Sequence, residues 1–266
     1  MRFNFGDNWK KYSKHINDGH LKASMKEMKY FLEDLCKGVS FIDVGCGSGL
    51  HSLSAIRLGA SNVHSFDYDI DSVKTTQKIK NLFEPNKQNW KIEHGDALDK
   101  KYIESLGQYD IVYSWGVLHH TGSMWEAIEN CISLVKLNGY FFIAIYNNQG
   151  WKSKFWWLVK YIYNILPTGL NKIFAIVLGF FFQIANIIKY TIFLKPMVAI
   201  TPLLNYKKNR GMSYFHDLID WYGGFPFEYA SVDELNSFFI TNGFEPIKVK
   251  RTSSLGCNEV LYRKVK

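Results

Sequence analysis

The chain has 266 residues, 47% of them hydrophobic and 17% aromatic, ample for one large domain with or without a substantial insertion and inconsistent with a low-complexity chain. Its net charge of +8 is local: residues 151–210 hold nine Lys or Arg and no Asp or Glu, while the rest carries 23 bases against 24 acids, so a general nucleic-acid surface is a poor description. Cys36, Cys46, Cys131 and Cys257 have neither paired nor metal-ligand spacing, and the start Met1-Arg2-Phe3-Asn4 has no apolar run; reduced thiols in a cytoplasmic protein without a signal peptide are expected.

Residues 1–38 read as one or two helices, with Leu21, Met25, Met28, Phe31, Leu32 and Leu35 at helical spacing. Alternating patterns then predict strands at 39–44, 62–67, 90–94, 109–114 and 139–146, and helices at 49–58, 69–83, 99–106 and 123–136. Asn138-Gly139 is expected to end the last of these helices and start the fifth strand. The strand, helix, strand order implies a parallel sheet with right-handed crossovers. Residues 151–206 are rich in Trp, Phe, Ile and Tyr, interrupted by Pro167, Pro196 and Pro202, and predict two or three helices. The most apolar stretch, 173–188, contains Gln183 and Asn186 and is short for a membrane span, so a buried or interfacial helix is expected. Ser231 and Glu234 form a capping-box signature, Thr241-Asn242-Gly243 ends that helix, and runs at 244–253 and 257–264 close the chain as a hairpin. The expected division is a helical segment 1–38, a core of 39–149 with 231–266, and an insertion at 150–230.

Asp43-Val44-Gly45-Cys46-Gly47-Ser48-Gly49 follows the first strand, and Asp67 comes eighteen residues after Gly49. Glycines let backbone approach a ligand, the following helix presents its positive end, and an acid after the second strand can accept both ribose hydroxyls. The loop reads D-x-G-x-G-x-G and not the dinucleotide G-x-G-x-x-G, and Asp43 would repel a pyrophosphate but suit an amino or sulfonium group. That points to S-adenosylmethionine.

With these residues the chain resembles the class I S-adenosylmethionine-dependent methyltransferases, from about Val39 to Asn147 and again from Ser231. Phe66-Asp67-Tyr68 resembles their ribose acid and its neighbour, Gly95-Asp96-Ala97 the adenine-edge acid, and Tyr109 to His120, including Ser114 and Trp115, the fourth strand and the loop beneath the methyl donor. The resemblance implies an α/β fold: a Rossmann-like, mostly parallel seven-stranded sheet, helices on both faces and a helical insertion after strand five. Asn8-Trp9-Lys10-Lys11-Tyr12 resembles the amino-terminal helix that closes over the cofactor, where Trp9 or Tyr12 could cover the sulfonium with an aromatic face.

Trp115 could line the methionine half of the cofactor. His119 and His120 are adjacent on a turn, point in different directions, and so are expected to do different jobs, one as base. In Arg210 to Glu228, His216 and Asp220 share a helix face at i and i+4; an acid there raises the imidazole pKa, and the pair could remove a hydroxyl proton. Arg210, Asp220, Trp221 and Tyr146 are the acceptor-binding candidates. No metal pattern is present. The expected acceptor is a small hydroxylated molecule, anionic or sugar-like, as in the bacterial polysaccharide-associated methyltransferases that the 210–228 segment resembles. The alternatives are a lipid-like acceptor such as a quinone precursor and a non-catalytic cofactor-binding scaffold. The basic segment would draw an anionic acceptor into a cleft or hold 151–206 against an anionic membrane as a peripheral contact; its run into the His216 segment favours the acceptor.

Overall fold

The computed structural model describes Gly6, Trp9, Ser13, Ile16 and residues 18–32, 34–204 and 214–266, with backbone alone for 214–217 and 220. Tyr12 and Arg210, named above, lie outside the described residues, as do the side chains of His216 and Asp220.

Two compact units are present, one of residues 154–225 and one of the chain up to Ser153 and from Pro226 onward. The larger unit carries the sheet. Helix α1 (Asp18–Leu32) precedes β1 (Ser40–Val44), α2 (Leu50–Arg57), β2 (Asn62–Asp67), α3 (Ile70–Phe83), β3 (Trp90–His94), α4 (Lys100–Ser105), β4 (Tyr109–Trp115), α5 (Met124–Ile132) and β5 (Val135–Tyr146). After the other unit come α10 (Val232–Thr241), β6 (Phe244–Lys250) and β7 (Cys257–Lys264). The sheet order is β3-β2-β1-β4-β5-β7-β6, with β7 antiparallel to both neighbours and the first five strands parallel. This is the expected seven-stranded sheet.

The alternation of side chains along a strand distributes the core over both faces. Phe41, Tyr113 and Phe142 pack with Leu21, Met28, Phe31 and Leu32 of α1, while their neighbours Ile42, Val112, Phe141 and Ile143 pack with Ile128 and Phe239 on the other face. Local caps agree with the sequence. Ser231 Oγ accepts the Glu234 N–H (3.1 Å) and Glu234 Oε2 accepts the Ser231 N–H (2.7 Å), the reciprocal bonds of a capping box.

The start of β5 departs from expectation. The helix ends at Ile132, and the strand begins at Val135, which pairs with Tyr109; Asn138-Gly139 lies inside the strand. Leu134 and Val135 are fully buried, so tertiary packing draws them into the sheet. Asn138 absorbs the resulting register shift at φ 64°, and a Cβ on Gly139 would lie 2.9 Å from the Asp110 carbonyl.

The smaller unit holds most of α6 (Trp151–Ile165), with α7 (Leu170–Ile192), α8 (Met197–Leu204) and α9 (Tyr214–Gly223). Pro167 and Pro196 fall in connections, whereas Pro202 lies inside α8. Within α7 only Ala175 and Gly179 are buried, and a Cβ on Gly179 would lie 2.8 Å from Leu218 of α9. Lys160 is buried too. Its ammonium donates to the Trp221 carbonyl and sits 4.2 Å over the Trp221 ring. Trp221, an acceptor-binding candidate by sequence, thus anchors a buried lysine of its own unit.

Candidate active site

The loop between β1 and α2 turns on three glycines in left-handed conformation, Gly45 (φ 78°), Gly47 (52°) and Gly49 (77°). A Cβ on Gly45 would lie 2.3 Å from the Val117 side chain, so the loop after β4 sits directly on the glycine turn. A Cβ on Gly47 would lie 3.1 Å from the Trp9 indole, and the Gly6 N–H donates to Asp69 Oδ2 (2.8 Å). Gly6 and Trp9, from the segment expected to cover the cofactor, therefore lie on the glycine loop and the β2–α3 turn. The Cys46 side chain is buried away from a ligand, its Sγ accepting the Thr76 hydroxyl (3.3 Å), which leaves the loop backbone as its contribution.

Two acids end β1 and β2. Asp43 is buried at the end of a hydrogen-bond chain: Trp90 Nε1 donates to Ser65 Oγ (2.8 Å), Ser65 to Ser52 Oγ (2.8 Å), and Ser52 to Asp43 Oδ2 (2.5 Å). Burial lifts its carboxyl to about 7, assisted by the charge of Asp67 and opposed by the Ser52 bond. Asp67 accepts the Gly47 N–H on one oxygen (2.9 Å) and the Asp69 N–H on the other (2.8 Å), and burial lifts it to about 6. Each Asp67 oxygen keeps a second lone pair. Tyr68 is exposed with its ring 6.1 Å from His94; Asp96 Oδ1 accepts the Leu98 N–H (3.0 Å), and the carbonyl of buried Ala97 accepts Asn130 Nδ2 (3.0 Å). Asp96 therefore holds its own turn at the edge of the same end of the sheet.

At the carboxyl end of β4, Ser114 Oγ donates to the Val44 carbonyl (3.2 Å) and ties β4 to β1, a structural bond. Trp115 is 37% exposed, with its ring 5.8 Å from that of His51. His51 was not among the sequence candidates. It lies two residues past Gly49 in the first turn of α2, with its ring also 5.1 Å from Tyr113, and burial pushes its pKa down to about 4. A neutral imidazole at this place does not repel a cation. Its position immediately after the glycine motif was the available signal.

The turn Leu118–His120 gives its two histidines opposite roles. His119 is fully buried, and its Nδ1 accepts the Tyr146 N–H (3.3 Å), so the neutral ring carries its proton on Nε2. His120 Nδ1 lies 2.7 Å from the Pro226 carbonyl, which can only accept; Nδ1 is therefore the donor, and Nε2 is the nitrogen through which the ring gains or loses a proton. Tyr146, at the end of β5, packs its ring 4.0 Å from His119 and 5.5 Å from His120. The two adjacent rings thus have unlike hydrogen-bond partners, and Tyr146 packs against both.

Glu228 also appears here. Its carboxylate accepts the Gly122 N–H (3.0 Å) and the Met124 N–H (3.1 Å), closing the start of α5, where Ser123 makes no side-chain cap. Glu228→Ala should therefore destabilise the protein by ~1.5–3 kcal/mol through loss of bonds to a charged acceptor. Chemical denaturation checks it; an unchanged midpoint would remove Glu228 as the clasp of the 118–124 turn.

The strand order reverses between β1 and β4, and the glycine turn, both acids and the 117–120 loop gather at the carboxyl ends of those strands, where open α/β sheets take ligands. Asp43 and Asp67 form no salt bridge among the described residues, which suits a ligand bringing its own positive charge. S-adenosylmethionine carries an ammonium, a sulfonium and a ribose, and these residues fit it. Fold and site define a Rossmann-like domain built for a nucleoside cofactor.

A family model described as "Methyltransferase domain" matches residues 35–161. The ubiquinone biosynthesis O-methyltransferase of Pelagibacter ubique (strain HTCC1062) is 29% identical over 158 residues, 59% of this chain and 59% of that protein. That of Coxiella burnetii (strain Dugway 5J108-111) is 28% identical over 149 residues, 54% and 60% of the two chains. The match spans about three fifths of the length of these curated relatives. The crystal structure of magnesium protoporphyrin IX methyltransferase from Synechocystis PCC 6803, with bound S-adenosylhomocysteine, shares the fold at TM-score 0.55 and 16% identity, covering 94% of this chain and 86% of that one. Residues 35–161 are thus similar to a methyltransferase domain, and the sheet has the fold of a methyltransferase crystallised with S-adenosylhomocysteine.

Proposed function

We propose that the protein transfers a methyl group from S-adenosylmethionine to a hydroxyl oxygen of a ring-bearing, partly apolar acceptor with the chemistry of a quinone precursor. The observation that carries the O-methylation is His120, whose Nδ1–H is held by the Pro226 carbonyl so that Nε2 is the basic nitrogen of the ring, on a loop that rests on the glycine turn through Val117. The choice of acceptor is supported by the names of the two O-methyltransferase relatives and by the apolar character of residues 151–204. The sugar or polysaccharide-precursor acceptor expected from sequence finds no support among these relatives.

Bound S-adenosylmethionine supplies a methyl group on a sulfonium, and transfer is an in-line displacement that needs alignment and the removal of one proton. Asp67 would hold the ribose hydroxyls, and the loop of Gly45, Gly47 and Gly49 would take the cofactor against backbone. Neutral His51 and the Trp115 indole, in ring contact with each other, would add no positive charge against a sulfonium bound there. His120 Nε2 accepts the acceptor's hydroxyl proton while the Pro226 carbonyl stabilises the imidazolium. Tyr146 packs against that ring edge to face.

Incubation with labelled S-adenosylmethionine and a matched set of acceptors tests this reading. A catechol bearing an apolar tail should be methylated on oxygen, the same catechol without the tail more slowly, and hydroxylated sugars or their phosphates not at all. Methylation of the sugars alone would restore the earlier expectation. Cofactor binding with no turnover on any member of the set would favour the non-catalytic scaffold.

A further inference from the structure

We infer that helices α6 to α8 form a docking surface for an anionic lipid bilayer, with α7 lying in the plane of the interface. This goes beyond the proposed reaction and does not depend on the acceptor.

The first observation is exposure. Helix α7 has an apolar window of mean hydropathy 1.8, of which 11% is buried; a core helix of such composition would be mostly covered. Ile173, Val177, Phe180, Phe181, Ile184 and Ile188 all face outward. The small residues Ala175 and Gly179 are the part of the helix that packs inward, against Leu218 in the case of Gly179. The patch continues beyond α7. The Trp156 ring of α6 stacks on Phe182 at 5.3 Å, while Trp157 and Tyr161 stack on each other at 5.3 Å and remain exposed; Phe193 and Leu194 lie exposed in the following connection. Apolar surface of this extent on a monomer marks an interaction site.

The second observation is charge. Residues 151–204 contain six lysines and no acid. Lys154, Lys172, Lys189 and Lys195 are exposed, at the start of α6, the two ends of α7 and the connection to α8. Over these residues the apolar patch is fringed by lysine without an acid, which complements an anionic headgroup layer. Trp and Tyr beside the apolar residues are the side chains that settle at the headgroup level.

The geometry favours lying in the interface over crossing it. The 23 residues of α7 are long and apolar enough to cross a bilayer, longer than the sequence run suggested, but between its end lysines, Lys172 and Lys189, the helix rises about 25 Å, less than the roughly 30 Å hydrocarbon thickness. Gln183 and Asn186 interrupt the apolar run within that length. An in-plane helix can leave such groups at the headgroup boundary.

The test is flotation of the full chain with vesicles of phosphatidylcholine alone or with phosphatidylglycerol. Binding should require phosphatidylglycerol and weaken in high salt. Replacement of the lysines (Lys172→Gln, Lys189→Gln and Lys195→Gln together) should weaken it ~100-fold. Phe180→Asn with Phe181→Asn should abolish it, while circular dichroism and cofactor binding stay unchanged. Three outcomes would overturn the inference: equal binding to neutral vesicles that ignores the lysine changes; retention in membranes after an alkaline carbonate wash, which means a spanning helix; or no vesicle binding together with a dimer that Phe180→Asn and Phe181→Asn split, which means a second copy covers the patch.

Discussion

His120→Ala is expected to lower turnover by ~10²–10⁴ and leave affinity for S-adenosylmethionine unchanged, since a general base contributes to the transition state and not to donor binding. The geometry makes the expectation specific. The Pro226 carbonyl holds Nδ1–H, so Nε2 is the nitrogen able to take a proton. His119→Ala serves as the contrast: His119 Nδ1 accepts a backbone N–H inside the core, and its loss should appear first in denaturation. Steady-state kinetics with calorimetry of donor binding separates the two. If His120→Ala keeps near-normal turnover and His216→Ala does not, the base belongs to α9 and the assignment to the loop after β4 is wrong.

Asp67→Ala should weaken donor binding ~10–150-fold, the equivalent of the 1.5–3 kcal/mol for bonds to a charged acceptor. The native protein adds a pH signature whose sign follows from the raised pKa values. Above about 7 both Asp43 and Asp67 are anionic and attract a cationic ligand; as the pH falls through about 7 and then 6 they take up protons and that attraction is lost. Donor affinity should therefore rise with pH across this window, with protons released on binding, and Asp67→Ala should remove its lower part. Calorimetry in buffers of different ionisation heat measures both effects. Unchanged affinity for Asp67→Ala would take Asp67 out of the site.

Much of the cofactor half was legible in the chain because its determinants are local. Glycine turns, an acid ending a strand, a Ser231–Glu234 capping box and alternating apolar runs are set by backbone sterics and by hydrogen bonds within a few residues. The parallel order of the strands then follows from their alternation with helices. These patterns determined the seven-stranded sheet and marked Asp43, Asp67 and the three glycines.

Contacts distant in sequence decided the rest. The turn expected at Asn138-Gly139 became a bulge because pairing with Tyr109 and burial of Leu134 bring the strand in at Val135. Adjacent histidines of the same intrinsic chemistry acquired opposite hydrogen-bond roles at Nδ1 because one meets the N–H of Tyr146 and the other the carbonyl of Pro226, 27 and 106 positions away. His51 meets the rings of Tyr113 and Trp115 of β4, to which no local pattern connects it. The apolar run of α7 is the sharpest case. Its composition suits a buried helix and an interfacial one equally, since hydrophobicity records only a preference to leave water. Which surroundings meet that preference is decided by the neighbours, and in the folded unit they cover little more than Ala175 and Gly179.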